Sequence, residues 1–168
     1  MNSTYKTLAF SIAVSVSTLY GASFPVDINL YTNRWERVDK QYFSKFQQAG
    51  APINVKQNDD VVLDYLRDLR GWVDNLPLTN KFSRAVKENL GAALKVLHES
   101  FVALIDSDAK KMNQYLKQLK GLSGKYNLGT FAQLGDEQYI VELKRLLNNK
   151  VIPAMTKAYE VTLKSMPH

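Results

Sequence analysis

The chain has 168 residues, 45% of them hydrophobic and 11% aromatic, which suits a single domain with a packed core and excludes a disordered polymer. It contains no cysteine, so disulfides, thiolate metal sites and a cysteine nucleophile are all excluded. The formal net charge of +6 permits an acidic partner without requiring one.

Residues 1–23 carry one basic residue, Lys6, then the apolar stretch Leu8 to Leu19, then the small residues Gly21, Ala22 and Ser23. This is the order of a secretory leader, and the apolar run is shorter than the ~20 residues of a comfortable membrane span; with only one basic residue ahead of it, a retained anchor is the alternative. Cleavage after Ser23 is expected to leave Phe24 first, to remove Lys6 and to lower the net charge from +6 to +5. The sequon Asn2-Ser3-Thr4 falls within the leader.

Residues 24–57 read as an N-terminal arm. A short extended lead, Phe24 to Thr32, precedes a helix from about Asn33 whose apolar face carries Trp35, Val38, Tyr42 and Phe46 before Gly50 ends it. The linker Gly50 to Gln57 then separates this amphipathic helix from a four-helix unit over 58–168.

The second helix is expected to start at Asn58 as N-cap, with Asp59 and Asp60 in its positive first turn, and to stop at Pro77. Its inward residues are Val62, Leu66, Leu69 and Val73. The third spans about Lys81 to Ile105, its stripe running from Phe82 through Leu97 to Leu104 at a spacing close to 3.6. Asp106, Ser107 and Asp108 break the chain and cap the fourth helix, which turns Met112, Leu116, Leu119 and Leu122 inward.

On the opposite side of that fourth helix fall Lys110, Lys111, Lys117, Lys120 and Lys125. The last helix, capped by Asp136, carries Ile140, Leu143, Leu147, Val151, Ala154 and Ala158 inward, and Pro153 predicts a kink with a freed carbonyl near Asn149. The fold class is therefore all-α, an up-down four-helix bundle with an additional N-terminal amphipathic helix.

Catalysis needs a local constellation of nucleophile and base, poised carboxylates or a metal cluster, and the sequence offers none, so the protein is read as a non-enzyme without cofactor. Asp106-x-Asp108 starts like a calcium loop, but Lys111 and Lys117 stand where that loop needs Gly and Glu, and capping accounts for both acids. His98 and Met155 are a conceivable haem pair whose simpler reading is ordinary packing.

Two surfaces remain as partner-binding candidates. The lysine face of Lys110, Lys111, Lys117 and Lys120 suits an acidic protein surface or anionic headgroups, against the plainer reading of a solvated helix face. The rings around Trp35 and Phe46 suit a lipid or partner helix, unless they pack on the bundle. Nucleic acid is disfavoured by the leader and by the scarcity of arginine relative to lysine.

Leu119-Lys120-Gly121-Leu122-Ser123-Gly124-Lys125-Tyr126 followed by Gly129, with Leu69-Arg70, Ala85-Val86-Lys87-Glu88 and Phe101-Val102-Ala103, resembles the small lumenal four-helix extrinsic proteins that assist photosystem II assembly and repair. The family has His where this chain has Lys125, and an Arg pair where this chain has Leu104-Ile105-Asp106. The N-terminal arm has no counterpart there. What the resemblance implies, over residues 58–164, is non-catalytic docking on the lumenal face of photosystem II, in the thylakoid lumen. The competing class is a secreted helical effector or lipid or ligand carrier with no photosynthetic role. Either would be a monomer in isolation.

Overall fold

A computed structural model describes residues 27–47, 58–77, 81–130 and 137–166. The leader 1–23, the linker over 50–57 and the Asp136 cap lie outside the described residues. Helix α1 spans Asn29–Gln41 and leads into a 3-10 turn, Phe43–Gln47. Then follow α2 (Asp59–Asp74), α3 (Lys81–Asp106) and α4 (Ala109–Lys125). Helix α5 (Gln138–Leu146), a π-turn (Leu147–Val151) and α6 (Ile152–Ser165) make the last rod. The described residues form an all-α bundle and contain no strand.

Helix α1 begins four residues before the expected Asn33, so the lead is not extended up to Thr32. Asp27 accepts from the Asn29 N–H at 2.9 Å, and Ile28 and Tyr31 are both buried, extending the stripe of Trp35 and Val38 by one turn. At its far end α1 does not continue to Gly50. The chain tightens at Tyr42 into the 3-10 turn, where positions three apart eclipse, so Phe43 joins Phe46 in the interior.

Asn58 holds the N-cap position of α2, yet it adopts φ 63° and its side chain makes no capping bond. The start is held by the Asn58 carbonyl, which accepts from Val61 at 3.1 Å, and by the two aspartates in the first turn. By contrast Asp108 caps α4 as expected, accepting from the Lys111 N–H at 3.1 Å.

The interruption expected at Pro153 is taken up one turn earlier. The Ile152 N–H bonds the Leu147 carbonyl across a π-turn, and Pro153 then sits in the first turn of α6, where a missing N–H costs little. The extra residue in that turn shifts the stripe. Leu146, Ile152, Met155, Tyr159 and Thr162 become buried beside Leu143 and Ala158, while Ala154 moves to a half-buried flank.

Paired contacts fix the directions of the helices. Tyr31 meets Trp72, Arg34 meets Asp68 and Trp35 meets Tyr65, so numbers rise on α1 as they fall on α2 and the two run antiparallel. Tyr115 donates to Glu99 at 3.4 Å from the mirror position across the turn at Ser107, which makes α3 and α4 antiparallel. The Tyr159 hydroxyl bonds the Ser100 carbonyl and ties α6 to α3. Helix α1 lies on α2 and the 3-10 turn lies on α6, so the arm belongs to the same core as the four-helix unit.

Candidate docking face

Helix α4 has no acidic residue between Ala109 and Lys125, and its five lysines are all exposed. At about 100° per residue, Lys110 and Lys117 lie on the outermost ridge, two turns or about 10.5 Å apart. Lys111 and Lys120 stand on opposite flanks of that ridge, about 180° from each other. Tyr115 points to α3, which places Lys111 on the α3 side, while Lys120 faces α6 and pairs with Glu160 at 3.9 Å. The four candidates are thus one broad convex face and not one compact cluster.

Local energetics do not favour this distribution. Lys110 and Lys111 occupy the first turn, where the helix dipole is positive and a lysine costs roughly 0.3–1 kcal/mol, an effect that the Asp108 cap offsets only in part. Lys110, Lys111 and Lys117 have no ion-pair partner among the described residues. Lys125 is placed where stability does favour it, in the last turn and 5.3 Å above the Tyr126 ring.

The second candidate surface is enclosed. Trp35 is 3% and Phe46 4% exposed, and their rings are committed to the core: Trp35 against Phe43 at 5.4 Å and Tyr65 at 5.5 Å, Phe46 against Tyr42 at 5.6 Å. The aromatic arm therefore presents no open ring groove in this state. Its burial follows from the area each ring removes from water when it meets α2 and α3. An edge of Trp35 still reaches a cleft of about 410 Å³ between α1 and the π-turn, bordered by Glu36, Asp39, Lys150 and Lys157. Burial pushes the Asp39 carboxyl above the ordinary carboxylate range, with Lys150 acting in the opposite direction.

Of the remaining candidates, Met155 is wholly enclosed in the core and His98 is half-buried on α3. Among the described residues no group of three or more His, Cys, Asp or Glu side chains is placed to hold a metal ion. No helix among them is long and apolar enough to cross a membrane.

Two features escaped the sequence reading. Lys144 is 2% exposed and donates to the Thr130 carbonyl at 3.0 Å, tying the chain beyond α4 to α5. The other is a trough between α4 and α6, bordered by Lys120 and Lys157 over Leu119, Ile152, Pro153 and Thr156. Of its two lysines the sequence pointed to Lys120 alone, and Lys157, exposed on α6, was not singled out. Comparison with known protein families, characterised proteins and solved structures finds no match to the chain.

Proposed function

We propose that the protein is an exported, non-catalytic docking module that binds an acidic surface of a larger protein complex through the lysine face of α4. The observation that carries this reading is the placement of Lys110, Lys111 and Lys117, exposed, without an ion-pair partner among the described residues, and partly at the wrong end of their own helix dipole. Intramolecular stability does not account for such a placement, whereas attraction of an acidic partner does.

The resemblance of Leu119 to Tyr126 to the lumenal photosystem II proteins makes the lumenal face of that complex the first partner to test. The test is affinity purification of the tagged chain, followed by binding of the recovered partner at several salt concentrations. Replacing Lys110, Lys111, Lys117 and Lys120 with Gln should preserve the helical spectrum, weaken binding and remove most of its salt dependence. Unchanged affinity and salt response would reduce the face to a solvated helix surface. N-terminal sequencing of the protein recovered from its cells tests export, with Phe24 as the expected first residue.

A second reading, a secreted carrier of a small ligand, is favoured by the cleft beside Trp35. Opposite charges on its walls suit a zwitterionic molecule better than a lipid chain. Tryptophan fluorescence of the protein extracted from its source, before and after exhaustive dialysis, tests it.

A further inference from the structure

The trough between α4 and α6 differs in kind from the convex lysine ridge. Its floor is the exposed ring of Pro153, backed by Leu119 and Ile152, which are themselves buried, with Ser123 and Thr156 half-exposed between them, and its volume is about 410 Å³. Lys120 stands on one rim and Lys157 on the other. The single acid on its walls, Glu160, reaches Lys120 only at 3.9 Å, with the two side chains 40% and 59% exposed. An ion pair that long and that hydrated is readily exchanged for a carboxylate from outside.

An apolar floor between cationic rims selects an elongated partner with one apolar edge flanked by carboxylates.

Building on the docking function proposed above, we infer that the α4–α6 trough seats an acidic amphipathic helix of the partner. Its apolar edge rests on the exposed ring of Pro153 above the buried Leu119 and Ile152, and its carboxylates meet Lys120 and Lys157. The outer ridge of Lys110 and Lys117 steers the encounter and the trough fixes the register.

The probes are two labelled synthetic peptides of about 18 residues, long enough for a helix to form on contact. One carries Leu at positions three and four apart among Glu residues, and in the other each Leu is replaced by Ser. Fluorescence anisotropy with the purified protein should show the leucine peptide binding about tenfold or more tightly than the serine peptide. Lys120→Gln with Lys157→Gln should weaken it by about tenfold, and so should Thr156→Trp, which fills the trough and retains every charge. Arg67→Gln with Arg70→Gln, exposed on α2 and outside both the trough and the lysine face, should change the affinity by no more than about twofold. Circular dichroism confirms that each variant is folded.

Equal binding of the two peptides, equal weakening by the Lys120/Lys157 and Arg67/Arg70 variants, or no binding of either peptide overturns the trough. None of these results touches the docking reading, which stands or falls on the quadruple variant and the native complex.

Discussion

The hydroxyl of Tyr65 in α2 donates to the backbone carbonyl of Tyr31 in α1 at 2.9 Å, inside a contact that is closed at its edge by Arg34 and Asp68, 2.6 Å apart. Both Tyr65 and Tyr31 are buried, so the bond forms away from water and fixes how α1 is seated on the bundle. The Arg34 guanidinium also lies 5.6 Å from the centre of the Tyr65 ring.

Tyr65→Phe removes the donor and leaves the ring in place. Loss of one buried hydrogen bond should cost about 0.5–1.5 kcal/mol in urea unfolding. Hydrogen exchange should quicken first in α1 and the 3-10 turn, because these elements depend on that seat. An unchanged exchange pattern there would mean that the ring contacts alone hold the arm.

Leu97 lies at the centre of α3, fully buried, and its stripe partners Leu90, Phe101 and Leu104 are fully buried with it. Leu97→Ala should destabilise by about 2–5 kcal/mol, the cost of lost burial plus a cavity that a bundle core closes only in part. A change below about 0.5 kcal/mol would contradict that position.

Thr162 carries the opposite lesson. Its side chain is 7% exposed and its hydroxyl finds no hydrogen-bond partner among the described residues. Thr162→Val keeps the shape and replaces an unsatisfied hydroxyl with a methyl group, so stability should rise by roughly 0.5–2 kcal/mol. A loss of similar size would show that the hydroxyl is hydrogen-bonded.

Much of this fold was legible because amphipathic stripes of period 3.6 survive wherever a helix is regular. Leu97 and Phe101 on α3, and Met112 and Leu119 on α4, fall inside as their spacing predicts. Errors collect where the backbone departs from regular α-helix. The 3-10 turn admits Phe43, and the π-turn moves Met155 and Tyr159 inward at the expense of Ala154, because each changes the angle per residue without leaving a mark in composition. Asn58 illustrates a second limit: the residue type marks the helix start, but not the positive φ that turns its side chain away from capping.

The lysine face was readable because one helix carries it whole. The trough was not, since it requires knowing that α4 and α6 are neighbours and that Lys120 and Lys157 face each other across them. For Trp35 and Phe46 the sequence left both readings open, since an aromatic stripe reads alike whether it covers a neighbour or awaits one, and the structure has them packed on the bundle.

The most demanding prediction concerns alkaline pH. Tyr31, Tyr42, Tyr65 and Tyr159 are buried, and burial pushes each phenol well above the ordinary value of 10.0. In the unfolded chain these phenols ionise near pH 10, while in the folded protein they retain their protons, so above that pH the unfolded state binds fewer protons and gains in relative stability. Stability conferred by the four sites is therefore fully present below pH ~10 and lost as pH rises above it. Each site contributes about 1.4 kcal/mol per pH unit to that slope, and the four together about 5 kcal/mol per unit, enough to unfold a domain of ordinary stability within one to three units. Phenolate absorbance and loss of helical circular dichroism should then rise together in one cooperative step, and Tyr159→Phe should flatten the slope by about one site's share. Phenolate absorbance rising broadly around the ordinary tyrosine value, with helix retained, would show that these rings ionise in place and that the core is open to water.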